Sequence, residues 1–449
     1  MKELLNDAAR RAGSYLTDLA ERHVAPLPEH IVALKTLEGP LPEEPLAPEE
    51  VLALLDQIGS PATVASAGGR YFGFVTGATL PAALAANWLA TAWDQNAGFW
   101  VMSPAAAAIE DIAASWLRDI FHLPSSCGVG FTTGATTANF TCLAAARHAL
   151  LKRAGWEVES KGLFGAPEIK VVVGEEVHAS MLKALALVGF GQTRVIKVPV
   201  DQQGRMKADR LPKVDDRTLV CIQAGNVNTG AFDPATEICR QAHQQGAWVH
   251  ADGAFGLWAA AAPNRAHLMS GFPEADSWAT DCHKWLNVPY DSGLAFVREA
   301  STLRGAMTIS GAYLHPSEQR DGAQWVPEAS RRARGVEVWA ALKSLGRKGL
   351  AEMIERNCRQ AQRFATGLNR AGYHVLNDVV LNQVLVSFGE TELTRRVVAA
   401  VQAEGTCWCG GTQWQGHTAM RISVSSWATT DEDVDRSLEA ILRVARSIE

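Results

Sequence analysis

The sequence predicts an α/β fold: a large domain with a mostly parallel sheet, a small α+β C-terminal domain and an N-terminal helical arm. Two observations support this prediction. From about residue 100 to 300, short β-rich runs alternate with helical stretches. From residue 353 the order becomes helix, strand, helix, strand, helix. Alternating strands and helices build a parallel sheet covered on both faces. We therefore expect three parts, at residues 1–70, 71–350 and 351–449.

The predicted elements follow from hydrophobic periodicity and from Gly and Pro positions. Residues 1–39 have apolar side chains at helical spacing and are predicted to form an amphipathic helix that packs on the body or on a second subunit. The predicted strands of the large domain are Ile169–Val173, Thr193–Val198, Thr218–Gln223, Ala247–His250, Ser277–Thr280 and Gly293–Val297. Its predicted helices are Pro104–Phe121, Ala135–Ala154, Ser180–Val188, Pro234–Gln245 and Gly335–Ala351. The C-terminal domain is predicted to have helices at about 353–371, 391–404 and from 430, with strands Val379–Phe388 and Ala419–Val424.

Composition excludes several classes of protein. The 449 residues carry a formal net charge of -6 without a basic block, which argues against nucleic acid as a partner. No apolar stretch reaches the length of a membrane span, and no secretory signal opens the chain, so no membrane partner is expected. The eight cysteines form no CxxC pair, and Cys407 and Cys409 lack a second pair at zinc-ligand spacing. We predict no metal site and a reducing, cytoplasmic location.

Four short segments carry the candidate chemistry, and two of them concern a phosphate and a ring. Thr132–Asn139 opens a helix with small and hydroxyl residues, among them Ala135 and Thr136. Exposed N–H groups and the helix dipole make such a start a phosphate site, although an ordinary N-cap gives the same pattern. His178 follows the strand Ile169–Val173, where it is either a stacking partner for an aromatic ligand or a structural histidine.

The other two segments end strands in charged residues. Trp248–Gly256 contains Asp252, which suits a pyridinium nitrogen because that group needs a buried anion to stay protonated. Asp252 is alternatively a plain N-cap. Asp276–Trp285 contains Lys284 at the end of an apolar strand, where lysine is rare and suggests nucleophilic chemistry. The alternative is a lysine that reaches solvent past the strand end.

Together these segments resemble the pyridoxal-phosphate (PLP) enzymes of fold type I, the aspartate aminotransferase-like fold, and within them the group II amino-acid decarboxylases. The matching stretches are His-Ala-Asp-Gly-Ala-Phe-Gly at 250–256 and Asp-Cys-His-Lys-Trp at 281–285. Asp252 and Lys284 are 32 residues apart (284 − 252), the separation associated with this group. The resemblance runs from about residue 70 to 430. It implies PLP as the cofactor and an obligate homodimer with the active site at the subunit interface.

The resemblance also assigns roles to individual residues. Lys284 corresponds to the Schiff-base lysine, Asp252 to the pyridinium partner and His178 to the histidine stacked on the ring. Positions resembling the phosphate site are Ala135, Thr136, Asp281 and His283. Asn226 stands where the family often has a threonine beside the ring hydroxyl, so it departs from the family in residue type.

The reaction itself is less determined than the cofactor. The resemblance implies decarboxylation of an L-amino acid through an external aldimine and a quinonoid. However, the family's mobile loop commonly supplies a proton-donating tyrosine, and the corresponding region, residues 315–332, contains Glu318, Gln324 and Trp325 but no tyrosine. Either another group such as His178 gives the proton, or the reaction is a Cα–Cβ lyase or aldolase cleavage, a transamination or an oxidative deamination.

The partner is expected to be a small-molecule substrate, an amino acid with an aromatic or apolar side chain. An aromatic-rich segment falls where the family builds its substrate pocket, although these side chains also suit a core or an interface. It comprises Tyr71, Phe72, Phe74, Trp93, Phe99 and Trp100. Arg421, on a predicted C-terminal strand, is a candidate for binding the substrate carboxylate, unless it faces solvent.

Overall fold

The computed structural model describes residues 1–309 and 318–448. The chain folds into two compact units. The larger unit comprises residues 79–362 and 377–384, and the smaller unit comprises residues 1–78, 363–376 and 385–449. The predicted boundaries at 70 and 350 remain a prediction.

Helices and strands alternate along the chain. The described strands are β1 (Gly128–Thr132), β2 (Lys170–Gly174), β3 (Ile196–Val198), β4 (Thr218–Gln223), β5 (Trp248–Asp252), β6 (Ser277–Asp281), β7 (Gly293–Val297), β8 (His374–Val375), β9 (Gln383–Ser387), β10 (Gly410–Trp414) and β11 (His417–Ser423). The α-helices are α1 (Lys2–Asp18), α2 (Pro28–Ala33), α3 (Pro48–Leu54), α4 (Ser60–Ala62), α5 (Pro81–Trp93), α6 (Pro104–Ile120), α7 (Ala135–Arg153), α8 (Val158–Lys161), α9 (Ala179–Leu187), α10 (Ala235–Gln244), α11 (Ala300–Met307), α12 (Gly335–Arg370), α13 (Thr391–Glu404) and α14 (Asp431–Ile448).

The larger unit is built on a seven-stranded sheet with the order β1-β7-β6-β5-β4-β2-β3. Strands β3, β2, β4, β5 and β6 pair in parallel, and β7 is antiparallel to both β6 and β1. Helix α7 covers one face, where its apolar residues join those of the strands in one buried cluster. The mostly parallel sheet agrees with the prediction, and it brings the carboxyl ends of β1, β4, β5 and β6 to one edge.

Strand β1 was not predicted, because glycine occupies two of its five positions and has a low strand propensity. The packing explains these glycines. A Cβ at Gly130 would lie 2.5 Å from the backbone oxygen of Trp325, and one at Gly128 would lie 3.0 Å from the Trp325 ring. The strand therefore depends on close approach by residue 325, which the local sequence does not reveal.

Two predicted helices begin or end at residues that differ from those in the structure. The amphipathic helix over residues 1–39 was wrong in extent: α1 ends at Asp18, and α2 begins at Pro28. Pro26 and Pro28 explain the interruption, because proline disfavours helical backbone in the preceding residue and lacks a donor. The predicted break near residue 352 lies instead at Gly346, whose φ of 59° interrupts α12.

The smaller unit contains most of a four-stranded sheet of order β10-β11-β9-β8. Strands β10 and β11 form an antiparallel hairpin, and β8 pairs antiparallel with β9. Helices α13 and α14 pack beside this sheet, and the buried residues on their faces include Val397, Val401 and Ile441. Across the two described ranges, no helix is long and apolar enough to cross a membrane.

Candidate active site

The predicted functional segments follow strands that end at one edge of the large sheet. Asp252 is the last residue of β5 and Asp281 the last of β6. Strand β1 leads directly into the start of α7, and β2 leads through three residues to His178. Since the carboxyl ends of these strands point the same way, residues distant in sequence meet there.

The start of α7 is held close to strand β7. A Cβ on Gly293 would lie 2.5 Å from the Cα of Gly134, so the two glycines allow the backbones to touch. A Cβ on Gly134 would lie 3.0 Å from Cε1 of His283 and 3.2 Å from a carboxylate oxygen of Asp281. Ala135 and Thr136 are the first residues of the helix. A side chain at Gly293 would therefore collide with the backbone of this turn, and a methyl group at Gly134 would press on His283 and Asp281.

Asp281 connects the helix start to Lys284. Its Oδ1 accepts the backbone N–H of Ala135 and lies 3.3 Å from Nε2 of His283. Its Oδ2 lies 2.8 Å from Nζ of Lys284. The Lys284 side chain is 21 % exposed, so its amino group is reachable although paired.

His283, whose side chain is 12 % exposed, belongs to the same group. Burial lowers the pKa of its imidazole, and the charge of Asp281 opposes that shift. Its Nδ1 accepts the backbone N–H of Ser292 at 3.1 Å, which leaves Nε2 as the side that faces Asp281. The ring of Tyr290 stacks on the imidazole with centroids 4.3 Å apart.

Asp252 is a buried carboxylate with donors on both oxygens. Asn139 Nδ2 donates to its Oδ2 at 3.2 Å, and the backbone N–H of Ala254 donates to its Oδ1 at 3.2 Å. Burial raises the pKa of the Asp252 carboxyl, while the positive charges of His178 and Lys284 oppose that shift. A cationic ring nitrogen beside it would add a further opposing charge.

His178 and Asn226 have different surroundings. His178 is exposed and caps helix α9, because its Nδ1 accepts the backbone N–H of Ser180 at 3.2 Å. Asn226 is 1 % exposed, and its side chain organises its own loop. Its Oδ1 accepts the N–H groups of Asn228 and Thr229, and its Nδ2 donates to Gln223.

The predicted substrate residues of the smaller unit form an aromatic stack. Trp408, which sequence reasoning did not single out, lies between Tyr71 and Phe74, with ring centroids 5.2 and 5.5 Å away. Burial lowers the pKa of Arg421, and the charge of Tyr71 acts in the opposite direction. Phe72 is 1 % exposed and packs edge-on against Phe364, so its ring belongs to the core of this unit.

The predicted substrate residues of the larger unit are more accessible. Trp93 is 46 % exposed at the end of α5, and Phe99 and Trp100 are half-buried. The backbone N–H of Trp100 donates to Oδ1 of Asp321 at 2.9 Å, which ties this segment to the region after residue 318.

The region that corresponds to the family's mobile loop is described only from residue 318, and 315–317 of the predicted loop lie outside the described residues. Trp325 packs on strand β1, with the guanidinium of Arg320 5.0 Å from its ring centroid. Gln324 ends a short 3-10 helix, and Glu318 is exposed.

The donor set at this edge fits pyridoxal phosphate. A helix start offers backbone N–H groups for a phosphate, a buried carboxylate suits a ring nitrogen, and a lysine amino group suits an aldehyde. The narrow turn at Gly134, which a Cβ would fill, provides the close backbone approach that a phosphate requires.

Sequence reasoning gave no role to Asn139 or His250, both fully buried beside Asp252. His250 Nε2 lies 2.9 Å from Oδ1 of Asn139. A signal existed for His250, because residues two apart on a strand share one face of the sheet. Asn139 had no comparable signal, since only the packing of α7 on β5 brings it there.

The comparisons with known proteins agree with this geometry. The family model described as the pyridoxal-dependent decarboxylase conserved domain matches residues 28–389. The aromatic-L-amino-acid decarboxylase of Bacillus atrophaeus is 23% identical over 471 residues, covering 100% of this chain and 96% of the relative. The phenylacetaldehyde synthase of a Rosa hybrid cultivar is 27% identical over 316 residues, covering 66% of this chain and 61% of the relative.

The crystal structure of Oryza sativa TDC with PLP and tryptamine matches with a TM-score of 0.92 and 22% identity, covering 99% of this chain and 97% of that one. This likeness confirms the predicted fold class. The family match confirms the predicted cofactor and enzyme class. The chain belongs to the pyridoxal-dependent decarboxylase family, and it is a carboxy-lyase whose cofactor is pyridoxal phosphate.

Proposed function

We propose that this enzyme removes the α-carboxylate of an L-amino acid with an aromatic or apolar side chain, and that Lys284 is the lysine that binds the cofactor. The observation that carries the proposal is that β5 ends in the buried Asp252 carboxylate and the neighbouring parallel strand β6 ends in Asp281, whose Oδ2 lies 2.8 Å from Nζ of Lys284. The aromatic-L-amino-acid decarboxylase relative supports the side-chain class.

Pyridoxal phosphate supplies an electron-withdrawing ring that stabilises negative charge at the substrate Cα. The backbone N–H of Thr136, with His283, would bind its phosphate, and Ala135, whose own N–H is donated to Asp281, would line the same turn. Asp252 would hold the proton on the ring nitrogen, since a buried anion favours that charged form. These residues fix the position of the cofactor, and they leave the choice of bond to the groups that orient the substrate.

Three further side chains complete the proposed site. Asp281 would orient both His283 and the Lys284 amino group through the contacts that it already makes. His178 would lie on the face of the ring, and Asn226 would lie near the ring hydroxyl. The backbone contacts of Asn226 support a role in shaping its loop at the same time.

We propose His178 as the group that returns a proton to the substrate carbon. Residues 318–332 contain no tyrosine, so the family's usual donor is not available from that part of the chain. The His178 side chain is exposed, and its Nδ1 is engaged by Ser180, so Nε2 is the nitrogen that would carry the transferred proton.

The proposed substrate contacts are divided by unit. Trp93 and Phe99 are the candidates in the larger unit, where both rings retain exposed surface. In the smaller unit, Tyr71 and Arg421 are the candidates, and Arg421 would bind a carboxylate. Phe72 is fully packed, so we expect it to support Tyr71 through the backbone rather than to contact substrate.

A second candidate reaction is oxidative decarboxylation of the amino acid to an aldehyde, in which molecular oxygen would accept two electrons, so that amino acid, O2 and water would give aldehyde, carbon dioxide, ammonia and hydrogen peroxide. Two observations favour it: the phenylacetaldehyde synthase relative, and the lack of a tyrosine in residues 318–332.

The deciding experiment is a screen of the twenty L-amino acids and L-3,4-dihydroxyphenylalanine with the PLP-loaded enzyme. Carbon dioxide, amine, aldehyde, ammonia and keto acid are measured separately. We expect carbon dioxide and amine in equal amounts from an aromatic or apolar substrate. Aldehyde with ammonia supports the second reaction, and keto acid without carbon dioxide contradicts both. Lys284→Ala is the control, and it should release none of these products above background.

We further propose that the enzyme is a homodimer with the active site at the subunit interface. The larger unit exposes apolar side chains along α5, where Trp88 is 47 % and Leu89 56 % exposed, and Val101 is 85 % exposed nearby. Sedimentation of the loaded enzyme tests this, and a stable active monomer would contradict it.

A cytoplasmic location is also proposed. All eight cysteines are free thiols and buried, which suits a reducing compartment. Fractionation of the source cells tests the assignment, and recovery of the protein outside the cytoplasmic fraction would refute it.

A further inference from the structure

A chain of buried side chains ends on the Asp252 carboxylate. Nε1 of Trp248 lies 3.0 Å from Oγ of Ser277, and that oxygen lies 2.9 Å from Nδ1 of His250. Nε2 of His250 lies 2.9 Å from Oδ1 of Asn139, whose Nδ2 lies 3.2 Å from Oδ2 of Asp252. Asn139, His250 and Ser277 are 0 % exposed, so water does not compete for these contacts. We call these five residues the Asp252 relay.

The ionised Asp252 carboxylate at one end determines which group donates and which accepts in every hydrogen bond of the relay. An ionised carboxylate only accepts, so Asn139 turns its NH2 group toward Asp252 and its oxygen toward His250. That oxygen needs a donor, so Nε2 of His250 carries the proton. Nδ1 is then an acceptor, and the Ser277 hydroxyl donates to it.

The other end agrees with this direction. The indole N–H of Trp248 only donates, so Ser277 Oγ accepts from it while its own hydrogen points to His250. A neutral His250 is required, and burial lowers the pKa of its imidazole to about 3. All five residues are therefore satisfied in one arrangement.

An Asp252 carboxyl protonated on Oδ1 could still accept from Asn139 through Oδ2, whereas one protonated on Oδ2 would donate to Asn139. In that second case the Asn139 amide would donate to Nε2 of His250, and the proton of His250 would move to Nδ1. A proton on Nε2 of His250 therefore excludes an Asp252 hydroxyl on Oδ2 that donates to Asn139.

We propose that Asn139 and His250 are positioning residues that keep Asp252 ionised and oriented toward the ring nitrogen of the cofactor. The inference rests on the proposed role of Asp252. It extends the site one layer into the protein, because neither residue touches the cofactor in this proposal. The two residues act through the donor that Asn139 presents to Oδ2 of Asp252.

Histidine-selective ¹⁵N NMR of the wild-type enzyme tests the direction without any substitution. The His250 resonance is assigned by its loss in His250→Gln. We expect the neutral form with its proton on Nε2 at neutral pH, in the protein with and without pyridoxal phosphate. A proton on Nδ1, or a cationic ring, would overturn the proposal.

Cofactor binding tests the consequence. The probe is 4′-deoxypyridoxine 5′-phosphate, which lacks the aldehyde and so binds independently of Lys284. Asn139→Leu and His250→Leu should weaken its affinity by about tenfold, the effect of losing one hydrogen bond to a charged group. Both should lower the fraction of bound probe whose ring nitrogen is protonated, read from its absorbance.

Two variants separate positioning from loss of structure. His250→Gln keeps one donor and one acceptor and should restore affinity to within about twofold of wild type. Thr141→Val removes a buried hydroxyl from the same helix, where it bonds only to Thr137, and should bind the probe as wild type does. Equal affinity in all folded variants, or a Gln variant as weak as the Leu variant, would overturn the proposal.

Failure of the proposed function is distinguishable from failure of this inference. Borohydride reduction of the PLP-loaded enzyme should attach the cofactor to Lys284, as found by peptide mass. Attachment elsewhere contradicts the proposed function. Attachment at Lys284 with an unaffected probe in the Leu variants contradicts the relay alone.

Discussion

Glu110 is the centre of a buried charge cluster, and its substitution gives the sharpest test of how the candidate site is supported. Its Oε1 accepts from Nη2 of Arg331 at 2.5 Å, and its Oε2 accepts from Nε of Arg320 at 3.2 Å. The Glu110 and Arg331 side chains are 1 % exposed and Arg320 is 6 % exposed. The two arginines also donate to the carbonyls of Val129 and Phe131 on strand β1, which leads into the turn at Gly134 before α7.

The perturbation is Glu110→Gln, which preserves shape but removes the charge. Two buried guanidinium groups would then lie together without a buried carboxylate, since Asp111, 3.9 Å from Arg320, is 66 % exposed. Burial already lowers the pKa of Arg320, and the Glu110 charge is the largest opposing influence. Breaking a buried ion pair from one side costs about 3–5 kcal/mol, so we expect a loss of about 3 kcal/mol or more in the free energy of unfolding. That is a large fraction of the roughly 5–15 kcal/mol that stabilises a typical domain.

The assay is urea denaturation of wild type and variants at one fixed, saturating concentration of pyridoxal phosphate, because ligand binding shifts apparent stability. Asp111→Asn is the matched control. Asp111 is 66 % exposed and lies 3.9 Å from Arg320, and exposed pairs contribute below about 1 kcal/mol. A Glu110→Gln variant within about 1 kcal/mol of wild type would refute the reasoning, since the arginines would then not depend on this carboxylate.

Three further results are expected. Lys284→Ala should bind the cofactor without a visible Schiff-base band, and a band that persists would contradict the assignment. Gly134→Ala should weaken cofactor affinity by about tenfold or more, since the new methyl would lie 3.0 Å from His283, and unchanged titration curves would disprove the steric argument. Because His250 has a pKa of about 3 when folded and 6.5 in the unfolded reference, the unfolded state binds the extra proton between those values. Stability should therefore fall as pH drops below about 6.5, by up to about 1.4 kcal/mol per unit, and His250→Gln should lose that part of the slope in denaturation measured from pH 7 to 5.

Asp252 and Lys284 could be proposed as cofactor-binding residues from the sequence, because each lies at or just after the end of a strand of recognisable composition. Asp252 and Lys284 follow apolar runs, and a charged residue at such a position needs a reason. Their meeting at one edge follows from parallel strand direction, which the alternation of helices and strands already indicates. The linkage from Asp281 to Ala135, by contrast, required the fold, because those residues are 146 positions apart.

The substrate-contact predictions depend on burial, which aromatic composition does not determine. Tyr71 and Phe72 are neighbours, yet Phe72 packs on Phe364 while Tyr71 stacks on Trp408. Trp408 carried no local signal, because its role comes from a partner more than three hundred residues away in sequence. Phe99 and Trp93 retain exposed surface that only the packing of α5 and its following turn could establish.

The sequence by itself predicted the fold class from its alternating helices and strands. Its resemblance to the PLP enzymes of fold type I predicted the cofactor and the residues proposed to hold it, and that resemblance rests on local patterns: strand-end charges, a helix start rich in small residues and the 32-residue interval between Asp252 and Lys284. Only the tertiary structure decided which side chains pack against these residues and hydrogen-bond to them. Trp325 packs so closely on strand β1 that a Cβ at Gly130 would lie 2.5 Å from its backbone oxygen, and Asp252 has a side-chain donor because α7 packs on β5 and brings Asn139 to it. Such contacts join residues far apart in the chain, where close packing and hydrogen-bond direction, rather than local propensity, determine which groups meet.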